Sequence, residues 1–406
     1  MNTITVVDAR MGRGKSSAAI RYMNRYKGAK RFLYITPYLN EVDRICEQCD
    51  FDQSDSDYMS KSTELKLHMR NGKNIAATHS LFYLMDEEAL ELVRANHYSL
   101  IIDESIQVVE RLNITDKDFS LIINQLAEED KDGFLRWKDK DYNGRFRDYK
   151  GLSDAGSLRR LDNALLNVMN PELLMAFEDV VMLTYLFDGQ YQKAYLEYFG
   201  FEYRIVGIEQ DEDGYYFSDS PDMPTPIDYK SLINIVDSPR LNSPGKNKYA
   251  LSKNWFSQRG YDHPDIKSLR NGLKKFFQDI PSGDVNSRLW TSFKDERYKL
   301  TDKKTGRFRN NFLQIGARAT NEYRDRTDIA YLANRFADPN LMKFFAEKDI
   351  KINADHFALS EMLQWIWRSA IRDNKPINLY IPSSRMRELL IDWMNSTSEG
   401  GQSVEQ

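Results

Sequence analysis

Between residues 3 and 23 a hydrophobic stretch, Ile4-Thr5-Val6-Val7, runs through Asp8-Ala9-Arg10-Met11-Gly12-Arg13-Gly14-Lys15-Ser16 straight into a helix-period pattern. A strand feeding a glycine-bearing loop, then a helix that begins with Lys and Ser, is the order a phosphate-binding loop requires. Gly12 and Gly14 give the backbone the freedom to curl its N–H groups toward phosphate. Lys15 is placed for the β- and γ-phosphates and Ser16 for magnesium, with Met11, Arg13 and Ser17 completing the expected ATP-binding stretch. Ala9 stands where such loops usually open on Gly. The alternative, a chance Gly/Lys turn, does not account for the strand before and the helix after.

Downstream, strand patterns alternate with helix patterns: a helix over residues 17–26, a strand over 31–35, helices over 40–49 and 61–70, and a strand over 74–77. Alternation predicts parallel pairing, and ligands of such sheets sit at the carboxyl ends of the strands. A chain of 406 residues exceeds what one core usually organises, which predicts two domains. No apolar run approaches the roughly 18 residues that span a bilayer, so no membrane role and a cytoplasmic location are expected. A net charge of −4 leaves room for nucleic acid only through local basic surfaces. Cys46 and Cys49 lack the further ligands a structural zinc site needs, which favours reduced thiols on a helix over metal or redox chemistry.

The second anchor is Tyr98-Ser99-Leu100-Ile101-Ile102-Asp103-Glu104, a buried-strand pattern ending in two carboxylates. Asp103 is suited to hold magnesium and Glu104 to polarise water; a helix N-cap would also explain Asp103.

Lys15-Ser16, Thr36-Pro37, Thr78-His79-Ser80 and Asp103-Glu104-Ser105-Ile106 together resemble the successive motifs of superfamily 2 DEAD/DEAH-box helicases, most nearly the compact bacteriophage-encoded type. The resemblance implies two tandem RecA-like P-loop domains with parallel sheets, ATP and Mg2+ as cofactors, and a nucleic-acid strand across both domains. It implies nucleic-acid contacts at Thr36, Pro37, Thr78 and His79, and at Thr320 and Asn321 in a later stretch similar to motif V. Thr184-Tyr185 and Phe293-Lys294 stand where motifs III and IV would be. Gln364, Arg368 and Arg372, at i, i+4 and i+8 of a helix predicted over 359–372, resemble motif VI and would supply an arginine finger. The glutamine motif that clamps adenine in DEAD-box proteins has no room before Ile4, so base selectivity is expected to be loose or supplied from elsewhere.

Residues 106–178 form an insertion that reads as helical, most clearly over 119–129 and 158–169. Within it, residues 131–150 carry seven Lys/Arg against four Asp, interleaved with Trp137, Tyr142, Phe146 and Tyr149. This is the composition of a single-strand binding surface, or of a solvated loop. Residues 294–309 form a second basic stretch with the same two readings, and 312–320 and 327–332 read as adjacent strands. The acidic residues 209–222 read as a hairpin or exposed loop without a site.

The expected architecture is therefore α/β: a RecA-like ATPase domain over 1–205 with a helical insertion, a second RecA-like domain over 206–394, and a disordered tail over 395–406. The expected function is an ATP hydrolase of helicase or translocase type acting in phage replication or recombination, on DNA in preference to RNA, with partner proteins of those processes. The alternatives are a nucleic-acid-stimulated ATPase that remodels or packages without unwinding, or a non-catalytic, nucleotide-switched origin-binding module.

Overall fold

The computed structural model describes residues 3–220, 227–279, 284–303, 305–306, 308–316 and 322–398. The chain divides into two compact units: residues 1–9, 14–222 and 337–352 form the first, and 10–13, 223–336 and 353–406 the second.

The first unit is built on a seven-stranded sheet. Its strands are β1 (Ile4–Asp8), β2 (Arg31–Thr36), β3 (Ile75–Thr78), β4 (Tyr98–Asp103), β10 (Asp179–Thr184), β11 (Tyr203–Asp211) and β12 (Gly214–Ser218). The insertion contributes β5 (Val109–Arg111), β6 (Ala127–Glu129), β7 (Leu135–Trp137), β8 (Leu158–Leu161) and β9 (Ala164–Val168) to sheets of its own. In the large sheet the order is β12-β11-β1-β10-β4-β2-β3, parallel except for β12. Val6, Leu100 and Ile102 face one buried layer while Val7, Ile101 and Leu183 face the other, so both faces are covered, as parallel sheets require. Helices α1 (Lys15–Tyr26), α2 (Leu39–Cys49) and α3 (Lys61–Arg70) are the crossovers that make this pairing possible. Parallel register brings Asp8 beside Thr184, Leu183 beside Asp103, and Thr36 beside Thr78, gathering polar residues at the carboxyl edge.

The insertion is only partly helical: Asp116–Leu121, Arg147–Asp154 and Glu172–Met175 are short helices beside its five strands. Its 158–169 stretch is the β8–β9 hairpin, turned at Asp162 with φ 50° and pairing Leu161 with Ala164. Asp tolerates that backbone region, and the two-residue turn converts an apparent helical stripe of Leu158, Leu161 and Leu165 into two strands. The 119–129 stretch is helical only to Leu121, passes through a π-turn over Ile122–Leu126, and ends in β6. Trp137 and Phe146, read from sequence as part of a single-strand binding surface or a solvated loop, are core residues packed with Ile122, Leu135, Leu158 and Leu165.

Residues 337–352 join the first unit although the chain has already entered the second. Helix Pro339–Ala346 inserts Leu341, Phe344 and Phe345 into the first unit's core. Arg159, buried on β8, meets this segment: its guanidinium pairs with Glu347 at 2.7 Å and lies over the Phe344 ring at 4.8 Å. The hairpin β11–β12 also stays with the first unit, so packing places residues 206–220 with the seven-stranded sheet rather than with the second unit.

The second unit has a four-stranded parallel sheet, ordered β13 (Ile233–Ile235), β16 (Ile377–Tyr380), β15 (Asp328–Tyr331) and β14 (Arg288–Thr291). Helices Pro264–Asp279, Ala354–Ile366 and Ser384–Ser398 accompany it. The last continues through 395–398, which the sequence assigned to a disordered tail; residues 399–406 lie outside the described residues. The expected strand over 312–320 is absent from its described part: Phe312 makes a single bridge to Trp290, and 317–320 lie outside the described residues. In the basic stretch 294–309, Lys299 is buried, donating to the Phe256 carbonyl at 2.7 Å and pairing with Glu296 at 2.6 Å, so it supports the fold rather than a surface.

Candidate nucleotide site at the carboxyl edge of the first sheet

The loop after β1 is shaped by its glycines. Gly12 has φ 80° and Gly14 φ 81°, a region L side chains rarely adopt, and Gly14 is the N-cap residue of α1. Lys15 and Ser16 therefore start the helix, where the helix dipole favours anions. The Lys15 ammonium donates to the Ala9 carbonyl, spanning the loop it closes. Met11 and Arg13 are half-buried, and Gly12 and Ser17 are exposed.

Two strands away, β4 delivers Asp103 and Glu104. The Ser16 hydroxyl lies 3.4 Å from Asp103 Oδ2, so the two expected magnesium-holding groups converge across 87 residues of sequence. A hydroxyl beside a carboxylate is an oxygen donor set of the kind Mg2+ takes alongside waters and phosphate, so the residues present fit that ion. Tyr34, fully buried on β2, donates to the same Oδ2 at 2.7 Å. Burial raises the Asp103 carboxyl above the ordinary carboxylate range, while the Tyr34 hydrogen bond and the nearby Lys15 ammonium pull it back down. Burial, then the Asp103 charge, holds the Tyr34 phenol well above its usual range, so it stays a donor.

This pairing sets the sign of a pH effect. The anionic form of Asp103 is the one able to hold a cation; a raised pKa carries its protonation to higher pH than for a free carboxylate. Tyr34→Phe removes a bond that lowers that pKa, so the acid limb of any Asp103-dependent activity moves further toward neutral pH. A pH–rate profile of Tyr34→Phe beside the unaltered chain measures it, and an unmoved limb would contradict the assignment.

Glu104 sits at φ 61°, an uncommon backbone region for a non-glycine residue. Its carboxylate accepts from the Tyr38 hydroxyl, which lies 3.0 Å from both oxygens. Gln192 fixes the chain just beyond by accepting from Ile106 N at 3.0 Å. His79 Nε2 donates to the Asp103 carbonyl at 3.0 Å, which sets the histidine tautomer and ties the end of β3 to the end of β4.

The nucleic-acid assignments are revised by burial. Thr36 and His79 are buried, so their side chains do not present a surface to a polymer; His79 ties the carboxyl edge through its bond to Asp103, and the Thr36 hydroxyl has no hydrogen-bond partner among the described residues. Thr78 caps the following short helix by accepting from Leu81 N, and Pro37 is half-buried beside it. Thr320 and Asn321 lie outside the described residues. Thr184 is buried and donates to Gln190 at 2.8 Å.

In the second unit, Gln364, Arg368 and Arg372 do not share one helix. The helix ends at Ile366, Ser369 is extended (φ −88°, ψ −171°), and Arg372 falls in a separate 3-10 turn over Ala370–Asp373. Trp367 sets the break by packing against Tyr229 and Trp393 at 5.4 Å each. Gln364 donates to Ser360 at 3.3 Å and Arg372 is exposed.

Cys46 and Cys49 are both unpaired, and burial pushes each thiol up to about 11, which leaves them protonated and unreactive near neutral pH. No helix among the described residues is long and apolar enough to cross a membrane.

Sequence reasoning did not single out Tyr34 and Tyr38. Tyr38 directly follows the Thr36-Pro37 pair, the one local signal that could have pointed to it.

Family models match residues 227–394, as the YonV C-terminal Rossmann-like domain, and residues 109–168, as the YonV middle domain. Among solved structures, apo XPD is similar over 96% of this chain and 95% of its own, with a TM-score of 0.50 and 12% identity. Xpd4 of S. tokodaii is similar over 97% and 94%, with a TM-score of 0.49 and 11% identity. At such identities the first likeness concerns the fold. A Bacillus subtilis (strain 168) relative, the SPbeta prophage-derived uncharacterized protein YonV, is 36% identical over 98% of this chain and 100% of its own length. On that extent of identity, this chain belongs to the YonV family.

Proposed function

We propose that the protein is an ATP-dependent, nucleic-acid-directed motor of superfamily 2 helicase type. The observation that carries this reading is the convergence of Lys15, Ser16, Asp103 and Glu104 at one sheet edge, with the Ser16 hydroxyl 3.4 Å from the Asp103 carboxylate. Phosphoryl transfer to water needs charge stabilisation and an oriented nucleophile more than covalent help from the protein. Here the α1 N-terminus and Lys15 would bind the phosphates, Ser16 and Asp103 would hold Mg2+, and Glu104, steadied by Tyr38, would orient water and take its proton. Bound Mg2+ would neutralise charge developing on the phosphate oxygens. Arg368 and Arg372 are proposed to supply positive charge from the second unit, and Pro37, Thr78, Thr320 and Asn321 to contact the polymer, with DNA favoured. The parallel-sheeted, two-unit α/β architecture is compatible with a motor that steps by cycles of closure, and a prophage relative accords with a role in phage replication or recombination in the host cytoplasm.

Strand displacement tests the motor reading. A forked DNA with a labelled strand should be unwound with ATP and Mg2+ and not with a non-hydrolysable analogue. Polymer-stimulated hydrolysis without displacement would favour translocation or remodelling. Polymer binding that responds to nucleotide without any turnover would favour the switch module.

A further inference from the structure

We infer that Tyr215, on the acidic β11–β12 hairpin, is the platform on which the base of the bound nucleoside triphosphate stacks; this rests on the nucleotide-site reading above. The sheet order supplies the direction. Asp103 and Glu104 end β4, beyond β10 on one side of β1, whereas β11 and β12 lie on the other side. Hydrolysis requires the terminal phosphate to face the carboxylates. A triphosphate laid along the α1 N-terminus in that sense sends its nucleoside toward the hairpin.

The hairpin presents an aromatic ring at that place. A Cβ built on Gly14 would fall 2.5 Å from the Tyr215 ring, so the ring lies directly against the glycine that starts the helix, whereas the corresponding flank of Gly12 is open. Tyr215 is only partly buried, packed at the edge of the core layer beside the loop. Its position is fixed by Arg21, about two turns beyond Gly14 along α1, which holds Asp211 at 2.6 and 2.9 Å and the Gly214 carbonyl at 3.0 Å. The guanidinium also lies over the adjacent Tyr216 ring at 5.5 Å. Arg21 also lies 3.6 Å from Asp213, so it offsets the acidic charge that stands nearest the loop. A tyrosine face accepts any base, so the platform gives affinity for nucleosides with little discrimination among them.

Calorimetric titration with ATP, GTP and inorganic tripolyphosphate, in the presence of Mg2+, separates base from phosphate binding without relying on turnover. The unaltered chain should bind ATP and GTP similarly, and each more tightly than tripolyphosphate by roughly tenfold, the scale of one base stacked on an aromatic ring. Tyr215→Phe should retain that preference, and Tyr215→Leu, which still fills the space over Gly14, should lose it. A Tyr215→Leu chain that keeps the full preference would overturn the inference. Loss of affinity for all three ligands in equal proportion would also overturn it, because Tyr215 would then only support the loop. Lys15→Ala, by contrast, should weaken all three; if none of them binds the unaltered chain, the phosphate-loop reading itself fails.

Discussion

Glu104→Gln should lower the rate of ATP hydrolysis by roughly 10²- to 10⁴-fold, the usual contribution of a positioned general base, while leaving ATP binding intact. The substitution keeps the size of the side chain and an oxygen that can accept from Tyr38, so the hydrogen bond at 3.0 Å survives and only the proton-accepting charge is lost. The left-handed backbone at Glu104 (φ 61°) is retained as well, because neither residue gains or loses β-branching. Single-turnover hydrolysis and equilibrium ATP binding, measured side by side, separate the two effects. A variant whose turnover stays within a few fold of the unaltered chain would remove Glu104 from the chemistry.

The largest expected loss of stability lies in the second unit. Trp290 is fully buried at the middle of β14, stacks edge-on against Phe312 at 4.7 Å, and donates its indole N–H to the Phe308 carbonyl at 2.7 Å. Trp290→Ala should cost about 3–5 kcal/mol, the range for emptying an aromatic core position, and it also removes the indole donor to the Phe308 carbonyl, which keeps the Asn311 N–H. Two units need not unfold together, so the probe matters. Tryptophan fluorescence serves, because Trp255, Trp365, Trp367 and Trp393 remain in the second unit and only Trp137 lies in the first. Denaturant titration should show that fluorescence transition moving to lower denaturant; a change below about 1 kcal/mol would mean that β14 is not the core strand described.

The parts of the site that could be read from sequence are those whose signals are local. Strand, glycines, Lys15 and helix are contiguous, and Asp103-Glu104 ends a run of apolar residues with no competing helical period. Alternating elements were enough to indicate parallel sheets. What escaped depends on partners distant in the chain. Tyr34 is one more apolar-looking residue of β2 until Asp103 is brought beside it. Arg159 looks like surface charge until Glu347, 188 residues away, and the Phe344 ring enclose it. The 158–169 stretch has leucines at helical spacing, and only the turn at Asp162 and pairing of β9 with both β5 and β8 decide for strands. The Gln364 to Arg372 stripe failed because the helix ends at Ile366, before either arginine, where Trp367 packs into an aromatic cluster. The acidic hairpin was set aside on charge alone, whereas Arg21 pairs with Asp211 and leaves an aromatic face beside the loop.

The most direct test of the central claim is steady-state ATP hydrolysis by the purified full chain with no polymer, single-stranded DNA, duplex DNA and single-stranded RNA, each repeated with Lys15→Ala. The account predicts Mg2+-dependent hydrolysis that one polymer stimulates strongly and that Lys15→Ala abolishes. Turnover that is flat across polymers and unchanged by Lys15→Ala would contradict it.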